Sequence, residues 1–298
     1  MNLFSISQLE QFSGIKSHTI RVWEQRYTAL TPTRSKGNTR YYDNSQLRRL
    51  LNIVSLMESG YKISELCAMP DNKLFALLES ELQSTLVKEN THEYFVSQLI
   101  AASTTFDEVH FEKIFSNCLL RLGMRNTYIQ VIYPLLVRMG LMWTTDKINP
   151  AYEHFCSNLI SRKLYAAIDA LPPAQSSNSS WLLFLPENEF HETGLLFSHY
   201  IIRQAGNKVI YLGNNLPFDT LQSAVEEINP DHLFFFLVHH DRMEDSQDYL
   251  NKLKKNFSKK QIHLSGNEKL ISQLKTGNKI HWIKSVEDLE NQLVLKND

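Results

Sequence analysis

The sequence predicts a multidomain protein of two structural classes. Its front is all α, a winged helix-turn-helix followed by a helical bundle, and its back is α/β, built on a doubly wound parallel sheet. Three observations lead there. Short helical stretches broken at Gly14 and followed by a Gly37-Asn38 turn fill residues 1–72. Apolar residues at helical spacing dominate residues 73–172. Across residues 181–298, short apolar runs alternate with amphipathic stretches, the texture of strand–helix–strand units. A chain of 298 residues is long enough for two or three such domains.

Ser7 is placed to cap a helix from Gln8 to Ser13, with Leu9 and Phe12 on one face. Ser17 is placed to cap a second helix through Tyr27, with Ile20 and Trp23 on the buried side. Two short helices joined by a glycine-containing turn make a helix-turn-helix. The outer face of the second helix then carries His18, Thr19, Arg21, Gln25 and Arg26, side chains suited to base edges and phosphates. Gly37-Asn38 separates two short extended pieces that read as a β-hairpin wing bearing Arg34, Arg40 and Tyr41. Asp43 caps an amphipathic helix with Leu47, Leu50, Leu51 and Val54, which Gly60 ends, and Ser64–Met69 makes one more short helix.

The charge follows this division. The formal net charge is −1. Residues 1–66 hold nine Lys/Arg against five Asp/Glu, a local +4, and the remainder carries −5. A near-neutral total therefore hides a basic head on an acidic body, and the asymmetry matters because it falls on a reading motif. Hydrophobic residues make up 43% and charged residues 21%, which excludes a disordered or low-complexity chain. No run of about 18 apolar residues occurs, so no membrane-spanning helix is expected. The opening Met1–Ser5 lacks the features of a secretory signal. Cys67, Cys118 and Cys156 are odd in number and far apart. They are expected to be buried hydrophobes in a reducing, cytoplasmic setting.

Ile20-Arg21-Val22-Trp23-Glu24-Gln25-Arg26-Tyr27, then Asn38-Thr39-Arg40-Tyr41-Tyr42, the Leu-rich helix and Gly60-Tyr61-Lys62-Ile63 together resemble the MerR family of winged helix-turn-helix regulators. The resemblance implies a recognition helix in the major groove of double-stranded DNA and a wing on the flanking backbone. Arg21, Arg26, Arg40 and Tyr41 are the leading contacts, and Trp23 belongs to the core. It also implies a dimer on a pseudo-palindromic operator. Mercury sensing does not carry over, since no cysteine cluster exists.

In the middle segment, breaks fall near 89–91, 103–107, 123–126 and 143–150, giving four to five helices in a bundle. The apolar pattern does not sustain heptads, so no long coiled coil is expected. Trp143-x9-Glu153-His154 has two readings, a core tryptophan beside a solvated helix start, or part of a ligand site. Pro172 to Ser180 reads as a linker.

In the tail, Trp181–Leu185, Val209–Leu212, His232–Val238, Gln261–Leu264 and Lys279–Trp282 read as strands of a Rossmann-like parallel sheet. Ligands bind at the carboxyl ends of such strands. There the first strand is followed by Glu187-Asn188-Glu189-Phe190-His191-Glu192-Thr193-Gly194. Glu189 is close enough to accept a hydrogen bond from one ring nitrogen of His191, which would fix its tautomer and improve it as a metal ligand. Gly194 would let a bulky ligand approach. An incidental surface loop is the other reading. His239-His240 has no third ligand at a metal-site spacing.

Glu189-x-His191-x-x-Gly194 resembles a cobalamin-binding signature, with Glu in place of the usual Asp. With the MerR-like head and Trp143-x9-Glu153-His154, nearly the whole chain resembles the CarH/LitR photoreceptor regulators. That resemblance implies adenosylcobalamin as cofactor, with His191 as the lower cobalt ligand in place of the cofactor's own base. Trp143 and Glu153 would pack at the adenosyl group. Light would break the cobalt–carbon bond, His154 would take the upper position, and the oligomer, a dimer or tetramer, would change. Two departures stand out. The third strand ends Leu237-Val238 where such domains usually present Ser, and Ser265-Gly266 stands at their Gly-Gly position. A repressor with no catalytic activity is therefore expected. The alternative is a MerR-type regulator whose sheet domain is an oligomerisation module or binds another ligand.

Overall fold

The computed structural model describes residues 3–35, 37–58, 60–83, 91–143, 149–174, 179–238 and 243–294. The chain forms two compact units, Met1–Leu159 and Ile160–Asp298.

The first unit is helical. α1 (Ile6–Ser13) and α2 (Ser17–Tyr27) flank the turn at Gly14, which takes the left-handed conformation with φ 72°. The caps differ from the expected ones. Ser5, not Ser7, caps α1, through a reciprocal capping box with Gln8. Ser17 lies inside α2, and its N–H and hydroxyl both donate to Glu10 at 2.9 and 2.7 Å, so its oxygen is drawn away from the helix N–H groups. The wing is the antiparallel pair β1 (Thr33–Arg34) and β2 (Arg40–Tyr41). α3 (Asn44–Glu58) is capped by Asp43, which accepts from Gln46 N–H at 2.9 Å. α4 (Ile63–Ala68) and α5 (Asp71–Gln83) follow.

The bundle continues with α6 (Thr91–Thr105), α7 (Glu108–Thr127), a π-helical turn at Tyr128–Ile132, α8 (Tyr133–Trp143) and α9 (Ala151–Asp169). The break expected near 123–126 is a kink inside α7, where Gly123 has φ 69° and ψ 168°. α3 packs directly on α6. Cys67, Cys118 and Cys156 are free and buried. Burial holds all three thiols in their protonated form, pushing Cys156 up to about 12.

The second unit holds a five-stranded parallel sheet in the order β4-β3-β5-β6-β7. The strands are β3 (Ser180–Pro186), β4 (Lys208–Leu216), β5 (His232–Leu237), β6 (Gln261–Gly266) and β7 (Ile280–Trp282). α10 (Thr193–Gln204), α11 (Phe218–Ile228), α12 (Met243–Asn256), the short α13 (Glu268–Ile271) and α14 (Val286–Val294) connect and follow them. Side chains alternate across the sheet. Leu182, Phe184, Leu233, Phe235, Leu237, Ile262 and Leu264 join Leu221, Val225, Leu250 and Leu253 of α11 and α12 in one buried core. Trp181, His232, Phe234, Phe236 and His263 belong to the opposite face. The strand order reverses at β3, which has β4 on one side and β5 on the other. That is the switch point where an open α/β sheet leaves a crevice at its carboxyl end.

Candidate DNA-reading head and ligand loop

In the head, α2 buries Ile20 and Trp23 and turns His18, Arg21, Gln25 and Arg26 to solvent, with Thr19 half-buried. Arg34 on β1 donates to Asn38 Oδ1 at 2.6 Å across the wing turn. Tyr41 is half-buried. Arg40 has a different environment from the other basic residues. Its Nε donates to Glu24 Oε2 at 3.1 Å, and the Glu24 side chain is only 7% exposed. The Tyr42 hydroxyl donates to the other oxygen of Glu24. Burial, then this carboxylate, raises the Tyr42 phenol well above its ordinary range. Glu24 therefore ties the wing to the recognition helix through Arg40 and Tyr42. Arg49 is also turned inward, donating to the carbonyls of Ala29, Cys67 and Met69 and pairing with Asp71 at 2.5 Å.

In the second unit the loop after β3 is built around Glu189, which is 1% exposed. Its Oε1 accepts from Phe190 N–H at 3.0 Å and His191 N–H at 3.1 Å, and lies 2.6 Å from His191 Nδ1. Its Oε2 accepts from Val238 N–H, just past β5, at 2.8 Å. One buried carboxylate thus pins the loop after β3 to the end of β5 across the switch point. With a carboxylate as its partner, Nδ1 is the protonated nitrogen, which leaves the Nε2 lone pair as the metal-binding one. The His191 side chain is 44% exposed.

A neighbouring polar cluster, not foreseen from the sequence, centres on Glu192. It accepts from Tyr211 Oη at 2.8 Å, Tyr165 Oη at 3.4 Å and Asn214 Nδ2 at 2.9 Å. Burial, and then the carboxylate, pushes both phenols upward. The pattern was hidden because its members come from α9, the loop after β3, and β4. His199 stacks on Tyr211 with ring centres 5.2 Å apart.

Gly194 opens α10, and a Cβ placed there would lie 2.8 Å from Phe236 Cε1. The expected space above this glycine is taken by a ring of the protein itself. At Gly266, φ is 131° and a Cβ would meet the Leu237 carbonyl oxygen at 2.1 Å, so close passage of β5 requires this glycine. The Ser265 hydroxyl donates to the Ile283 carbonyl at 2.9 Å. Glu153 and His154 lie in the first turn of α9, 3.3 Å apart through Oε2 and Nδ1, with His154 69% exposed. Trp143 ends α8, and its side chain lies outside the described residues, as do His239 and His240. Among the described residues there is no group of three or more metal-binding side chains, and no helix is long and apolar enough to cross a membrane.

Residues 4–69 match the family described as MerR HTH family regulatory protein, and residues 96–168, from α6 into α9, match the B12 binding domain family. The HTH-type transcriptional repressor CarH of Myxococcus xanthus is 27% identical over 254 residues, 84% of each chain. The HTH-type transcriptional repressor CarA of the same organism is 28% identical over 228 residues, 76% of this chain and 73% of that one. A Methanosarcina barkeri monomethylamine corrinoid protein aligns with 68% of this chain and 99% of its own, with a TM-score of 0.55 and 11% identity, a likeness of fold. The chain thus carries one segment similar to MerR-type helix-turn-helix proteins and one similar to B12 binding domains, and over most of its length it resembles transcriptional repressors.

Proposed function

From this pairing of domains we propose that the chain is a DNA-binding repressor that senses light through adenosylcobalamin. The observation that carries the reading is the Glu189–His191 pair at the carboxyl end of the sheet. A buried carboxylate fixes an exposed imidazole in the tautomer that binds a metal, at the place where the fold receives ligands. The residues fit the cobalt-facing side of a corrin ring. When bound, adenosylcobalamin supplies a light-labile cobalt–carbon bond. His191 would ligate the cobalt, and Glu189 would keep the imidazole oriented. Trp143, Glu153 and His154 keep the roles that the resemblance gives them, His154 as the second imidazole. Ser265 and Gly266 contribute the shape of the sheet end rather than contacts. On the head, His18, Thr19, Arg21, Gln25 and Arg26 read the operator, Arg34 and Tyr41 contact its backbone, and Arg40 sets the wing. The operator is engaged by a dimer, and the dark form self-associates in the cytoplasm.

The test is an absorption spectrum of the full chain after mixing with adenosylcobalamin in the dark and removal of excess, before and after green light. The expected protein is red and its spectrum changes with light. His191→Ala loses the imidazole-bound signature, and His154→Ala keeps dark binding but changes the light product. A colourless protein would overturn the proposal. The ring of Phe236 against Gly194 favours a second reading, in which the sheet domain is an oligomerisation module or takes another ligand. DNA binding indifferent to both corrinoid and light is its signature.

A further inference from the structure

A cobalamin held by a protein imidazole has lost its own lower base. The nucleotide tail that carried the base still hangs from the ring face that His191 approaches. It has two routes, down into the domain past Gly194, between the sheet and α10, or out along the surface.

The inner route is closed by side chains. Phe236 takes the volume that Gly194 leaves, with Cε1 2.8 Å from the position of a Cβ. Behind it the rings run on without a gap. Phe236 meets Phe234 at 5.3 Å between centroids, and Phe234 meets Trp181 at 6.3 Å. Trp181 stacks on His232 at 4.0 Å, with the planes 3° apart, and on His263 at 4.8 Å. Trp181 and Phe234 are fully buried. Within this layer His232 Nδ1 and His263 Nε2 are 2.9 Å apart. Gly266 is explained by the Leu237 backbone, and the Ser265 hydroxyl is engaged by Ile283. Interiors are packed densely enough that a benzimidazole cannot enter unless rings of this size leave.

We infer that Phe236 excludes the nucleotide tail from the sheet domain, so that the sheet domain holds a corrinoid through the ring face and His191, with no seat for the tail. The inference rests on the proposed corrinoid-binding function and assigns Phe236 a specificity-determining role. A corrinoid without the tail then binds at least as well as cobalamin. Shortening residue 236 opens the inner route and favours cobalamin selectively.

The experiment titrates the full chain and its Phe236→Ser and Phe236→Leu variants, in the dark, with adenosylcobalamin and with adenosylcobinamide, which lacks the nucleotide. Corrinoid retained by the protein at equilibrium dialysis is the readout, and His191→Ala is the control. Displacing the lower base costs only cobalamin, but by the same amount in every variant, so the change in the affinity ratio isolates residue 236. The expected result is wild-type affinity for cobinamide equal to or above that for cobalamin. In Phe236→Ser the ratio moves toward cobalamin by about tenfold or more, an effect of about 1.4 kcal/mol, and cobinamide binding is kept. Phe236→Leu moves it less. Wild-type cobalamin binding tighter than cobinamide by about tenfold overturns the inference while leaving the corrinoid function intact, as does a ratio that does not respond to Phe236→Ser. If Phe236→Ser fails to fold, Phe236→Leu decides: a ratio that moves toward cobalamin supports the inference, and one that does not move overturns it. Binding of neither corrinoid by the wild-type chain overturns the function as well.

Discussion

At the scale of single residues, two arginines of the head that look alike in the sequence differ in structure. Arg21 is exposed on the recognition helix, whereas Arg40 is joined to a nearly buried Glu24. Arg21→Ala should weaken operator binding, lower the steepness of its salt dependence by about one contact, and leave the melting temperature unchanged. Arg40→Ala should weaken binding and also lower folding stability by about 2 kcal/mol, because Glu24 loses its cation while remaining enclosed. Thermal melts beside fluorescence-anisotropy titrations at several salt concentrations separate the two, and an unchanged melt for Arg40→Ala would sink the assignment. The sequence carried the residue types and spacing of the head, including Glu24 within its motif. It could not show that Glu24 faces the wing, because that contact joins residues 16 apart through tertiary packing. The Glu189–His191 contact was legible because it spans two residues of one loop. The Phe236 ring against Gly194 was not, since it brings the end of β5 over the start of α10.

At the scale of elements, strands were legible because most are short runs rich in apolar residues, as expected where both faces of a parallel sheet are covered. Helix starts were less so, because Ser5, Ser7 and Ser17 are equally good caps by composition and the side chains of Gln8 and Glu10 decide among them. α10 carries a consequence of its packing. His199 lies against Tyr211, and burial first, then the charge of Arg203, lowers its pKa from 6.5 to about 4, with Asp169 opposing. Between those values the unfolded chain takes up a proton that the folded chain refuses. Stability therefore rises with pH through this window, and is lost as pH falls from about 6.5 toward 4. Urea midpoints taken near neutrality and at about pH 5 should show that decline. His199→Phe, which keeps a ring on Tyr211 and removes the titration, should flatten it. Glu10, lowered to about 2 chiefly by the Ser17 hydroxyl, has its effect below its ordinary value of 4.5 and leaves the upper part of the window to His199. An equally steep decline in His199→Phe would show that other groups dominate.

At the scale of the whole molecule, the division of charge is sharper than the count. Of the nine basic residues in the head, Arg40 and Arg49 are turned to structural partners, whereas Arg21, Arg26 and Arg34 are exposed on the face formed by α2 and the wing. That face is not mounted on a free module. α3 of the head lies on α6 of the bundle through Gln98, which is 1% exposed. Its Nε2 donates to Asn52 Oδ1 at 3.2 Å and Ser55 Oγ at 2.9 Å, both on α3, while its Oε1 lies 3.0 Å from His110 Nε2 on α7. Arg138 of α8 pairs with both oxygens of Glu93 on α6, at 2.5 and 2.6 Å, and packs against Gly14 in the turn before α2. A buried polar group that loses its partner costs about 1–3 kcal/mol. Gln98→Leu takes a donor from Asn52 Oδ1 and Ser55 Oγ on one side and a contact from His110 Nε2 on the other, while the Ser55 hydroxyl keeps its bond to the Leu51 carbonyl. It should therefore destabilise head and bundle together, with hydrogen exchange accelerating in α3 and α6 by the same factor. Faster exchange in α3 alone would mean that the head melts by itself. In that case a ligand-driven change in the bundle would need some route other than this interface to reach the DNA-reading helix.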